Sequence, residues 1–102
     1  MKKLNEYKVS MPDETAESCT AYQISRVFGF RFVVTRDDSG SRKTWSVSQH
    51  ETGLRAGPLC DTRADAIGAF STRIEQLLKQ HGEYKVVERI RNAIANGPVL
   101  NQ

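Results

Sequence analysis

"YQISRVFGFRFVVT", residues 22–35, puts Tyr22, Ile24, Phe28, Phe30, Phe32 and Val34 on even positions and Gln23, Ser25, Arg31 and Thr35 on odd ones. Alternation with aromatic and β-branched residues is the pattern of a strand with one buried face. Val27, Gly29 and Val33 interrupt the polar side, and Gly29 marks a bulge or bend, so the run reads as one strand or as two segments. "RDDSGS", residues 36–41, follows as a turn in which Gly40 can take positive φ. "RKTWSVSQ", residues 42–49, then alternates Trp45 and Val47 with Thr44, Ser46 and Ser48. It predicts a second strand antiparallel to the first.

Beyond this hairpin, "HETGL" is a second turn hinged at Gly53, and "LRAGPLC", residues 54–60, is at best a short edge strand, because Pro58 cannot donate to a ladder. Thr62 is a good helix N-cap, and Asp65 three residues on resembles a capping box. Ile67, Phe70, Ile74, Leu77 and Leu78 form one apolar stripe, and Gly82 ends that helix. A second helix runs from about Glu83 to Asn96 with Tyr84, Val87, Ile90 and Ile94 as its stripe, Val86 and Ala93 beside it, and Gly97–Pro98 as the stop. Upstream, residues 1–20 are poorly patterned: "LNEYKVSM" reads as an edge strand and "PDETAESCT" as polar loop. Residues 98–102 are expected to fray. The predicted fold is α+β, with an antiparallel sheet of about three strands packed against a long helix and followed by a C-terminal helix, all in a single domain over residues 21–97.

The 102 residues are enough for one core without staples. Apolar residues make up 38% and charged residues 26%, which suits a globular chain and not a disordered one, and the longest run without a charge is too short and too polar for a membrane span. The start, "MKKLNEYKVSMPDE", has no apolar stretch behind its lysines, so a cytoplasmic address is expected. Cys19 and Cys60 are too few for a disulfide framework or a cysteine-based zinc site, and both read as buried thiols.

Trp45, His50 and Cys60 crowd one region without making a reactive constellation. His50 and Glu51 are neighbours and point apart in a strand. Cys60 and His50 could form a nucleophilic pair only if the fold joined them. Trp45, in phase with Val47, reads as a core residue. No enzyme activity, cofactor or metal is expected.

Function is therefore sought on a surface. Arg31, Arg36, Arg42 and Lys43 belong to the hairpin, with Arg31 expected near Lys43 across it. Arg55 lies in the short third strand, and Arg63 in the first helical turn. Lys85 and Arg89 share one polar face of the second helix, with Arg91 offset. Such a surface suits contacts to phosphates, and the net charge of +3 is compatible with it. The expectation is a binding module for nucleic acid or a nucleoprotein complex. The alternative is a phage- or plasmid-type accessory protein that blocks a host defence complex by protein contact, with the second helix serving a partner or a homodimer. In element order, residues 22–80 resemble double-stranded-RNA-binding domains and integrase arm-binding domains. That resemblance implies a three-stranded sheet backed by a helix and a nucleic-acid partner. Where the RNA-binding domains carry a lysine cluster at the start of the last helix, this chain has Asp61, Thr62, Arg63, Ala64 and Asp65.

Overall fold

A computed structural model describes residues 1–37 and 43–102. The expected hairpin tip, including Gly40 and Arg42, lies outside the described residues. Four strands, β1 (Lys3–Ser10), β2 (Ala16–Gln23), β3 (Phe32–Asp37) and β4 (Thr44–Gln49), form one antiparallel sheet in the order β1-β2-β3-β4. The α+β class holds, with four strands where the sequence suggested about three.

The edge strand expected over "LNEYKVSM" is β1, and the further strand, β2, begins in the polar stretch that follows it. β1 carries a bulge: Leu4 pairs with Ala21, yet Tyr7 pairs with Cys19, and Glu6 between them has φ 58°. The extra residue inverts the alternation, so Leu4 and Tyr7 face the same side although three positions apart. Most of "PDETAESCT" is not loop, because Ala16–Thr20 pairs with β1 despite its polarity.

The run 22–35 divides into the end of β2 and the start of β3. Between them, Val27 and Phe30 exchange backbone hydrogen bonds of 3.1 and 2.9 Å around a tight turn. Phe28 and Gly29 at its tip take φ of 51° and 82°. The "LRAGPLC" stretch is reduced to two isolated bridges, Ser48 with Arg55 and Trp45 with Cys60, which cover the outer edge of β4.

The sheet rolls up. On its outer face, Phe32, Val34 and Val47 form a core with Ala66 and Phe70 of the helix. The Phe32 and Phe70 rings lie 4.8 Å apart at 45°, a geometry that adds about 1 kcal/mol to the area they bury. The inner face, expected to be exposed, is buried at Val33 and Thr35 because β1 curls over it. Tyr7, Ala21 and Val33 fill one half of the concavity, and the Tyr7 hydroxyl donates to the Gln49 carbonyl of β4 at 3.0 Å. The roll closes where the Ser10 N–H reaches the Gly53 carbonyl at 3.0 Å. Gly53 has φ 68°, and a methyl group there would meet the Lys8 carbonyl oxygen at 2.6 Å. Only glycine lets the turn and β1 approach this closely.

The helix α1 (Arg63–Asn96) begins as the sequence indicates, with Thr62 Oγ1 accepting from the Asp65 N–H at 3.1 Å. At Gly82 the backbone leaves helical geometry, with φ 81° and ψ 163°. Essentially only glycine occupies that region. The break makes two arms, 63–81 and 83–96, and the second returns to the core. Ala66 belongs to the outer-face core and Ile90 packs against it, although a straight helix would separate them by about 36 Å. The buried face of the second arm differs from the expected stripe: Val86 is 1% exposed and Tyr84 is 78% exposed. Val86, Ile90 and Ile94, spaced by four, turn inward or sit half-buried, which leaves Tyr84 outside.

The last residues do not fray. The Leu100 and Asn101 N–H groups donate to the Glu51 carbonyl at 2.9 and 3.1 Å. Asn101 also bridges Lys8 and His50. No helix among the described residues is long and apolar enough to cross a membrane.

Candidate nucleic-acid interface

The register of the β3–β4 hairpin sets Arg36 directly opposite Trp45. Tyr22, from β2, lies on the same outer face, with its ring 6.2 Å from that of Trp45. Arg63 enters from the first turn of α1. Its guanidinium carbon lies 5.1 Å from the Tyr22 ring centre and 5.8 Å from that of Trp45, and the Arg36 guanidinium carbon lies 5.9 Å from Trp45. Two cations from distant parts of the chain are thus seated on one aromatic pair. Each such contact contributes about 0.5–1 kcal/mol at a partly exposed position. The Trp45 ring is thus shared by two guanidinium groups.

Trp45 is more than the core residue that the sequence suggests. It is half-buried, with one part packed against the core and its ring serving as the seat for Arg36 and Arg63. Its backbone exchanges two 2.8 Å hydrogen bonds with Cys60, which fixes the loop that leads into the helix. Asp37 and Asp61 adjoin the arginines in sequence and temper the local charge. Lys43, exposed, immediately precedes β4.

The remaining sequence-nominated cations do not gather here. Arg31 does not approach Lys43. It lies before the opposite end of β3 and forms a 2.6 Å ion pair with Glu51, because the whole length of β3 separates it from the hairpin tip. Burial alone would raise the Glu51 carboxyl, but hydrogen bonds from Gln49 and Arg31, together with the charge of Arg31, hold it below the usual value. Arg55 borders the inner face of the roll. Lys85, Arg89 and Arg91 are exposed on the second arm, where Arg91 pairs loosely with Glu88 at 3.4 Å. Arg42 lies outside the described residues.

The reactive pair imagined from sequence is not assembled. Cys60 is bonded to Trp45 at one end of β4, and His50 follows the other end, about 16 Å along an extended strand. Cys60 is half-buried, with Sγ 3.8 Å from the Pro58 carbonyl, and Cys19 is half-buried too; neither is in a disulfide. His50 is 5% exposed. Its ring is 5.9 Å from that of Tyr7, Nε2 is 3.3 Å from the Gln102 carbonyl, and Nδ1 is buried without a hydrogen-bond partner among the described residues. Among the described residues no group of three or more His, Cys, Asp or Glu side chains could hold a metal.

Comparison with protein-family models, with curated proteins and with solved structures found no match. The outline shared with RNA-binding and integrase arm-binding domains therefore remains one of element order, and the four-stranded roll departs from it. Any functional reading rests on the geometry of this chain alone.

The sequence reading found Arg36 and Arg63 but missed Tyr22 and Trp45 as their seats. The signal was present. Once Val34 is aligned with Val47 as two outer-face residues, Arg36 falls opposite Trp45.

Proposed function

We propose that the chain is a non-enzymatic nucleic-acid-binding module whose contact point is the Arg36–Arg63 pair on Trp45 and Tyr22, with Lys43 beside it. The convergence of two guanidinium groups from β3 and α1 over one indole carries this reading. Such a pair offers planar donor forks to phosphate oxygens, and the half-buried rings hold the forks in place. The contact set is small, so binding is expected to be modest and strongly weakened by salt. Phosphate contacts of this kind position a ligand without reading its sequence.

The test is binding of single-stranded and duplex oligonucleotides at about 50 and about 200 mM salt, followed through Trp45 fluorescence. The wild-type protein should bind at low salt and release as salt rises. Arg36→Gln and Arg63→Gln should each reduce the salt slope by about one. No binding at low salt, or binding unchanged in the double variant, would refute the proposal. Retention of a defined protein complex after nuclease treatment, without affinity for bare nucleic acid, would favour the accessory-inhibitor reading.

A further inference from the structure

The inner face of the roll is filled at one end only. Past the Tyr7–Ala21–Val33 plug, a cleft of about 330 Å³ opens between the end of β1, the middle of β3 and β4, and the 53–59 segment. Its floor is unusual for the inside of a sheet. Thr35, Ser46 and Ser48 line it with relative exposures of 5%, 7% and 2%. The Thr35 hydroxyl donates to the Ser46 carbonyl at 3.2 Å and lies 3.4 Å from the Ser46 hydroxyl. Valines at these strand positions would fit the fold and fill the space. Small hydroxyl side chains instead keep it open and polar, and burying such groups costs free energy that an apolar filling would avoid.

The walls are charged on two sides. Arg55 pairs in register with Ser48, so its side chain shares the inner face, and Glu17 lines the opposite wall from β2. Among the described residues neither forms an ion pair. Val9, Met11 and Leu59 supply apolar lining between them. The size falls at the lower end of small-molecule sites, and the mouth of a rolled sheet is a favoured place for one.

We infer that this cleft binds a small zwitterion with an apolar side chain, of the size of an aliphatic amino acid or a dipeptide. Arg55 takes the carboxylate, Glu17 takes the ammonium group, and the hydroxyl floor meets the polar backbone of the ligand. Arg36 and Asp37, at the end of β3, also line the cleft, so it adjoins the arginine pair, but zwitterion binding through Arg55 and Glu17 does not depend on nucleic-acid binding.

The experiment titrates the full chain with L-leucine, L-methionine and glycyl-L-leucine by calorimetry and by amide chemical-shift mapping. At least one should bind saturably, with shifts centred on Ser46, Ser48 and Arg55. Removing either charge from the ligand, with 4-methylpentanoate or 3-methylbutylamine, should weaken binding about tenfold or more. Arg55→Gln and Glu17→Gln, both surface changes that leave the core intact, should each do the same. Bound ligand should slow alkylation of Cys19, which lines the cleft, and leave Cys60 unaffected. Absence of saturable binding by all three compounds would overturn the inference. So would binding indifferent to both charge removals, or shifts that map away from the inner face.

Discussion

Asn101 serves Lys8 as a neighbouring strand would. Its side-chain oxygen accepts from the Lys8 N–H at 2.9 Å, and its amide donates to the Lys8 carbonyl at 2.8 Å. The same amide group reaches the His50 carbonyl at 3.1 Å. One side chain thereby satisfies the open edge of β1 and ties it to the turn after β4. Replacing Asn101 with Asp keeps the acceptor and removes both donations. The expected cost is about 1–2 kcal/mol, with faster hydrogen exchange at Lys8 and Ser10 and little change in α1.

The closure at Gly53 is less tolerant. Gly53→Ala places a methyl against the Lys8 carbonyl and forces a side chain into the left-handed region. A loss of about 3 kcal/mol is expected, read as a lowered urea midpoint. A loss under half of that would mean β1 moves aside easily.

Tyr7→Phe tests the plug. Burial pushes the Tyr7 phenol well above its ordinary range, and its hydroxyl is committed to the Gln49 carbonyl. That carbonyl also accepts from the Gly53 N–H at 2.9 Å, so it keeps a partner. The change should cost about 1 kcal/mol by thermal unfolding, well short of what Tyr7→Ala costs.

At the Phe28 tip, stability should rise on substitution. An aromatic residue at φ 51° is held in a conformation that Asn adopts more readily. Phe28 is 39% exposed, so little packing is lost. Phe28→Asn should gain about 0.5–1 kcal/mol, visible as a melting temperature several degrees higher.

Acid should weaken the Arg31–Glu51 corner. The folded Glu51 carboxyl lies below its ordinary value of 4.5, so the unfolded chain binds this proton first. The stabilisation is complete above that ordinary value and is lost as pH falls through the lower folded value. Urea midpoints from about pH 6 to about pH 3 should fall less steeply for Glu51→Gln than for wild type.

These features were unequally legible in the chain. The Thr62 cap and the Gly82 break could be read directly, because each depends on chemistry within a few residues. The outer core was legible through Phe32, Val34 and Val47, whose alternation the fold keeps. β1 was legible as an edge strand but not in its facing: Glu6 inverts the phase, so Leu4 and Tyr7 look out of step although they share a face. β2 was obscured because its first half, Ala16–Ser18, carries little apolar surface on either face, and its hydrogen bonds, not its side chains, fix its place. The roll itself rests on contacts such as Tyr7 with Gln49, remote in sequence, and no local pattern reports them. For the same reason Thr35, Ser46 and Ser48 read as an outer polar face, when they floor an inner one.

The reversal at Gly82 decides more than the direction of a helix. If it were replaced by alanine, the two arms would favour joining into a single rod of about 50 Å, longer than the 38 Å greatest dimension of the molecule. Val86 and Ile90 would then be carried beyond their own core, and the nearest equivalent berth would belong to another copy. One missing side chain thus keeps this fold self-contained, and Gly82→Ala should exchange C-terminal arms between two chains, a change that light scattering would register as a doubled mass.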